Sequence, residues 1–259
     1  PKPAGTVRIV LLGDSFIHGL GVAADDRLGV PLERALDERC GASPAPPIEV
    51  LHVGVTSWDI RAEAAFVRRQ LALLQPDLVV HHIVPNDLDD LPGVRGFGAL
   101  SKSSPRRPER GDALVSLVQG RWTFDGAARG LLPWGLDAEA RERLAACADE
   151  IDALAAAVTT AGSRYLLVIN WQAYQAVAGQ AFAKRRPAEQ VAFLSWDFYK
   201  DARWRISAAD EHWNPAGHEQ VASFLYGLIV ARSLLPALSL APWPEAEQTA
   251  RPNDDAARQ

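Results

Sequence analysis

The chain has 259 residues, 48% of them hydrophobic and 23% charged, with a formal net charge of −5. At about 150 residues per domain this allows one large domain or two small ones. The composition excludes a disordered acidic tail protein, a collagen-like repeat and a coiled-coil rod, and the negative balance supplies no global basic field for gathering nucleic acid. No apolar run approaches the ~18–20 residues needed to cross a bilayer. The two cysteines, Cys40 and Cys147, are too few for a disulfide scaffold or a four-ligand zinc site. The chain opens Pro1-Lys2-Pro3 and has no Met, so a natural start, with any targeting signal, is expected to have preceded it.

In chain order, residues 7–12 form a short apolar run closed by Gly13, which suits a buried parallel strand. A helix is predicted over 27–39. After a Pro-rich break at 44–47, residues 48–53 read as a second strand. Ser57 is placed to cap a helix over 58–74, with Asp59 and Glu63 near its positive end. Pro76-Asp77 is a turn, and 78–84 a third, almost wholly apolar strand. Residues 85–136 lack periodicity and carry a basic stretch, 95–110. Such an insertion is often functional, and it is expected to decide the substrate. Residues 137–161 give a periodic helix ended by Gly162. A fourth strand follows at 165–169, a helix at 172–184 and a fifth strand at 191–194. Asn214 caps, and Pro215 starts, a last helix that turns Val221, Leu225, Leu228 and Ile229 inward. The Pro-, Ala- and acid-rich end from 241 to 259 reads as a loose tail. Strands alternating with helices predict one α/β domain over 1–240, a three-layer α/β/α sandwich around a mainly parallel, flavodoxin-like five-stranded sheet.

Ligands of open α/β sheets sit beyond the carboxyl ends of the strands, so the residues there carry the chemistry. After the first strand stand Asp14, Ser15 and Phe16. Gly54 and Ser57 follow the second, and Asn86 and Asp87 the third; Asp210, Glu211, His212, Trp213 and Asn214 precede the last helix. A hydroxyl, an amide and an imidazole are the parts of acyl transfer through a serine ester. Serine is a poor nucleophile until a base takes its proton, and His212, with an unperturbed pKa near neutrality, is the natural base. A carboxylate should fix the imidazole tautomer. The oxyanion needs preorganised donors, for which the N–H groups of Ser15 and Ser57 and the Asn86 amide are candidates.

Gly13-Asp14-Ser15-Phe16, Gly54, Pro85-Asn86-Asp87 and His212-Trp213-Asn214-Pro215, in this order at the strand ends, resemble the blocks of the GDSL/SGNH hydrolase superfamily across most of the chain. The resemblance implies a flavodoxin-like sandwich and activity as an esterase, lipase, thioesterase or carbohydrate deacetylase. It further implies Ser15 as nucleophile, His212 as base, Asn86 as oxyanion donor, and neither metal nor organic cofactor. The expected reaction is cleavage of a carboxylic ester, a short acyl or O-acetyl group on a small molecule or carbohydrate. An O-acyltransferase using the same site and an inactive glycan- or protein-binding member are the alternatives. The resemblance also favours an exported or envelope location.

Two departures stand out. Where the family commonly carries Gly as a backbone donor this chain has Ser57, which keeps the N–H and loses only backbone freedom. The family spacing Asp-x-x-His would put the acid at Ala209, so Asp210 is the candidate third member; a backbone carbonyl, Glu211 or an aspartate from elsewhere are its rivals. Asp14, Trp58 and Trp213 are candidates to line the pocket, with Asp14 also suited to tying its loop together. His81 and His82 point to opposite faces of a strand and read as packing residues, and His18, His52 and His218 as structural. Asp87, Asp89 and Asp90 read as a solvated loop rather than a metal cluster.

Overall fold

The computed structural model describes residues 1–41, 44–84, 87, 138–169, 185–194, 198, 201–208 and 210–241. The insertion at 85–136 apart from Asp87, the helix expected over 172–184, and the tail from 242 onward lie outside the described residues. Five strands, β1 (Val7–Gly13), β2 (Ile48–Gly54), β3 (Leu78–Ile83), β4 (Arg164–Ile169) and β5 (Val191–Phe193), make one sheet in the order β2-β1-β3-β4-β5. Every pairing in it is parallel. Among the described residues five α-helices accompany it: α1 (Ser15–His18), α2 (Gly29–Arg39), α3 (Ile60–Leu74), α4 (Ala138–Thr160) and α5 (Pro215–Ala231).

β1 is buried along its whole length because both sheet faces are covered. Ile9 and Leu11 join Val80, Leu166 and Val168 under Leu32 and Leu36 of α2 and Val221 and Leu225 of α5. Val10 and Leu12 face the other way, with Val79 and Leu167, under Ile60, Ala64 and Val67 of α3 and Ile151, Leu154 and Val158 of α4. Each such side chain removed from water contributes about 1.5–3 kcal/mol before the chain-ordering cost is set against it. The three-layer sandwich expected from the alternation of elements is therefore the observed one.

Two boundaries differ from the sequence reading. The last helix-ward cap before α3 is Asp59, whose side chain accepts from the Ala62 N–H at 2.7 Å, and not Ser57. Residues 24–26 form a separate 3₁₀ turn, so the expected helix at 27–39 starts only at Gly29. In this strand order the reversal of winding falls between β1 and β3, the place where a doubly wound sheet opens a crevice for ligands. Ser15 follows the first of those strands directly.

Candidate active site

β1 gives way at Gly13 to a one-turn helix. Asp14, fully buried, caps it: Oδ1 accepts from the Phe16 N–H at 3.0 Å and Oδ2 from the Ser15 hydroxyl at 3.1 Å. This is the loop-tying role expected of Asp14. The loop lies hard against the end of β2, where a Cβ on Gly54 would stand 2.4 Å from the His18 nitrogen. Only glycine permits that approach. Ser57 beyond it has φ of 68°, the left-handed region that costs a residue with a Cβ about 1 kcal/mol or more. A serine thus adopts the conformation for which glycine is the ordinary choice.

The imidazole arrives on the segment before α5. Arg205 and Trp213 form an antiparallel bridge, the Ile206 N–H donates to the His212 carbonyl at 2.8 Å, and the Asn214 N–H to the Trp204 carbonyl at 2.9 Å. Asn214 fastens both ends of this ribbon. Its Oδ1 accepts from the Gly217 N–H as N-cap of α5, and its Nδ2 donates to the carbonyls of Arg203 and Arg205 at 2.8 and 2.9 Å.

Within it, Asp210 Oδ1 lies 2.7 Å from His212 Nδ1 and also accepts from the His212 backbone N–H at 3.1 Å. A displacement of one residue reverses a side chain on a strand, but Ser207 and Asp210 are joined by reciprocal backbone bonds and not paired as in a strand. There an aspartate reaches the backbone two residues on, so a carboxylate at 210 meets the ring. Ala209 lies outside the described residues.

His212 Nε2 faces Ser15 Oγ at 2.8 Å. With Asp210 accepting at Nδ1, the ring proton is assigned to that nitrogen and the Nε2 lone pair is left to take the serine hydrogen. The hydroxyl has one hydrogen and two acceptors, His212 Nε2 and Asp14 Oδ2. Partial burial alone would push the Asp210 carboxyl up; the hydrogen bonds from the His212 ring and backbone, with the field of the imidazole, outweigh it and hold Asp210 below the ordinary carboxylate value. Such a serine–imidazole–carboxylate chain is equipped to generate a nucleophilic alkoxide and to return the proton to a leaving group.

Behind the imidazole stands an aromatic wall. The Phe16 ring is 4.8 Å from that of His212 and 4.9 Å from that of Trp213, and His82 and His218 pack on Trp213 at 5.0 and 5.5 Å. Trp213 is only 2% exposed, so its expected place lining the pocket is corrected: it is too large and apolar to remain at the rim and fills the core beneath His212. Trp58 stays half-buried, against Phe66 at 5.3 Å. Burial lowers His82 to about 3 and His218 to about 4, with neighbouring imidazoles adding to the effect. Both His82 ring nitrogens, His218 Nδ1 and Trp213 Nε1 are buried without hydrogen-bond partners among the described residues. Asn86 lies outside the described residues. Asp87 is buried and accepts from the Val84 N–H at 2.6 Å. Among the described residues no group of His, Cys, Asp and Glu is placed to hold a metal, and no helix is long and apolar enough to cross a membrane.

The sequence reading overlooked a second polar assembly. Glu63, placed by its position near the positive end of a helix, turns inward and is fully buried, as is His81. His81 Nε2 lies 2.8 Å from Glu63 Oε2, and Nδ1 2.7 Å from the Tyr165 hydroxyl. His81 is thus a hydrogen-bonding hub and not a packing residue. A glutamate at an a/d-like position amid Ile60, Ala64 and Val67 was the available signal.

No protein-family model matches the sequence, and no curated protein does. Among solved structures, the psychrotrophic esterase EstA from Pseudoalteromonas sp., in a form inhibited by monoethylphosphonate, aligns with a TM-score of 0.55 at 11% identity, over 86% of this chain and 97% of that one. The lipase/acylhydrolase from Enterococcus faecalis gives 0.49 at 15% identity over 92% and 100%, and the Clostridium thermocellum family 3 carbohydrate esterase 0.48 at 17% identity over 87% and 96%. The five-stranded parallel sheet with helices on both faces is the three-layer α/β/α fold that the sequence led one to expect. The likeness to EstA is one of fold.

Proposed function

We propose that this protein is a serine hydrolase cleaving a carboxylic ester, a short acyl or O-acetyl group on a small molecule or carbohydrate, through an acyl-serine at Ser15. The observation that carries this reading is the unbroken chain Ser15 Oγ–His212 Nε2, 2.8 Å, and His212 Nδ1–Asp210 Oδ1, 2.7 Å, at the crevice of the sheet. His212 takes the hydroxyl proton as Oγ attacks the ester carbonyl; the C–O bond to the alcohol then breaks, and the same proton passes to the departing alkoxide. Water, deprotonated by His212, attacks the acyl-serine and releases the acid. Asp210 holds the ring tautomer and steadies the imidazolium. The Ser15 and Ser57 N–H groups and the Asn86 amide are the proposed oxyanion donors, each a source of roughly 3–4 kcal/mol. That EstA is an esterase inhibited by monoethylphosphonate supports the reading at the level of fold.

The test is hydrolysis of p-nitrophenyl acetate together with labelling by a fluorophosphonate. Ser15→Ala is expected to lose at least about a thousandfold in kcat/KM and all labelling. Activity retained in that variant refutes the assignment. Asn86→Ala should lower kcat more than it raises KM; an unchanged kcat removes Asn86 from the oxyanion site.

A further inference from the structure

Beneath the nucleophile loop lies the one fully buried carboxyl–imidazole–phenol chain among the described residues, and the mechanism above makes no use of it. Leu12, two residues before Asp14, is in register with His81. The Glu63–His81 contact therefore sits directly below the point where β1 passes into Asp14 and Ser15. Glu63 and His81 side chains are both 0% exposed. Among the described residues Glu63 Oε1 has no hydrogen-bond partner, and the only bond at Oε2 is to His81. No Lys or Arg among the described residues pairs with it.

Two proton arrangements fit these distances. In one, a Glu63 carboxylate accepts from His81 Nε2–H while Tyr165 donates to Nδ1. In the other, Glu63 is a neutral acid donating to Nε2, and Nδ1–H donates to the Tyr165 oxygen. The first buries a charged oxygen with nothing to bond, a far larger cost than leaving a neutral carbonyl oxygen bare. The charges that shift the Glu63 carboxyl argue the same way. From the β1–α1 loop the Asp14 carboxylate repels it, and from its own helix so does Asp59; burial is the largest influence, and together they raise the Glu63 carboxyl well above its ordinary value. From β3, His81 is itself depressed to about 3 by burial, with Arg186 and His82 adding to it, so it is no counter-ion. From β4, burial pushes the Tyr165 phenol up, against the opposing pull of the Arg186 guanidinium. Arg186 stands beyond that ring, 5.4 Å from its centroid, and is paired with Asp152 on α4. Cys147 on α4 is buried and within the field of Asp59.

We infer that Glu63 is a positioning residue for Ser15, a neutral carboxylic acid hydrogen-bonded to His81 that adds no further negative charge to that of Asp14 under the nucleophile. The inference rests on the reading of Ser15 as nucleophile. Ionised, Glu63 would place a second negative charge below the loop, opposing the oxyanion that forms on attack and drawing the Ser15 hydrogen away from its alignment by repelling Asp14.

The test joins infrared difference spectroscopy to a pH profile. Wild type minus Glu63→Gln at pH 7 should show a carboxylic-acid C=O band. Glu63→Gln, uncharged and able to donate to His81, should keep kcat for p-nitrophenyl acetate within about threefold at pH 7. Wild-type kcat should fall at alkaline pH in step with loss of the band, and the variant should lack that fall. Absence of the band, a level wild-type profile, a fall shared by the variant, or a loss beyond about tenfold in the variant at pH 7 each overturns the inference. Should Glu63→Gln not fold, the wild-type band followed against kcat across the same pH range decides it. Wild type that neither hydrolyses the ester nor takes the fluorophosphonate label fails the Ser15 reading instead, and the band still reports separately where the Glu63 proton is.

Discussion

His212 lies 2.7 Å from Asp210 and His81 2.8 Å from Glu63, yet the two pairs have opposite electrical characters. The Asp210 side chain is 41% exposed and that of His212 23%, whereas Glu63 and His81 see no solvent. Against a slight burial that would raise it, the two His212 N–H donors and the field of the ring hold the Asp210 carboxyl below its ordinary value; burial beside like charges drives Glu63 the other way. Bond length does not decide whether a histidine–carboxylate contact is an ion pair or a neutral hydrogen bond. Solvation and neighbouring charge do. A pair that must support a transient imidazolium belongs at the rim, and one that must stay silent belongs in the core.

The sharpest way to break this contrast is to neutralise both acids. Asp210→Asn presents an amide that can favour the wrong ring tautomer, and kcat is expected to fall about a hundredfold or more with little change in KM; Glu63→Gln is expected to be nearly silent at pH 7. Equal losses in steady-state assays would erase the distinction.

Acid titration sharpens it further. His82 and His218 have folded-state values of about 3 and 4, below the unfolded value near 6.5. The unfolded chain therefore binds protons first. Their contribution is intact above pH 6.5 and is withdrawn as pH falls, by about 1 kcal/mol per unit per histidine while only the unfolded form is protonated. Glu63, shifted upward, moves stability in the opposite sense. Thermal melts from pH 7 to 4 should show a falling Tm, and His82→Phe, which removes two unpartnered ring nitrogens from an aromatic cluster, should flatten that fall. A Tm independent of pH over that range would show that these imidazoles are not held neutral.

The smallest effect is expected at Ser57, on the link between β2 and the helix that carries Glu63. Ser57→Gly relieves a left-handed serine and should stabilise by up to about 1 kcal/mol, a Tm rise of roughly 2–4 °C. If the site uses the N–H at this position, kcat stays within about twofold. A large drop would assign a role to the hydroxyl.

Much of this architecture could be read from the amino acids because each signal was local. The runs at 7–12 and 78–84 were apolar on both faces, as buried parallel strands must be, and Asn214-Pro215 marked the start of α5. The alternation of a strand also set His81 and His82 on opposite faces correctly. What escaped depended on distance along the chain or on short elements. α1 has four residues, too few to show a period. The Glu63–His81–Tyr165 contacts join residues 18 and 84 positions apart, with nothing nearby in sequence to announce them. Trp213 sits beside a polar residue that faces the crevice, and only the packing of Phe16, His82 and His218 around it explains why it is buried. For Asp210 the missing information was the pair of backbone bonds between Ser207 and Asp210, which strand geometry does not anticipate.

Asn214 makes three hydrogen bonds with one side chain, and that has a thermal consequence. The same amide starts the final helix and pins the ribbon on which the imidazole rides, so the first turn of α5 cannot fray without loosening the base. Helix ends open at lower free-energy cost than whole domains. On heating, hydrolysis should therefore fail reversibly a few degrees before the sheet melts, with the upper working temperature set by one amide clasp and not by the size of the core.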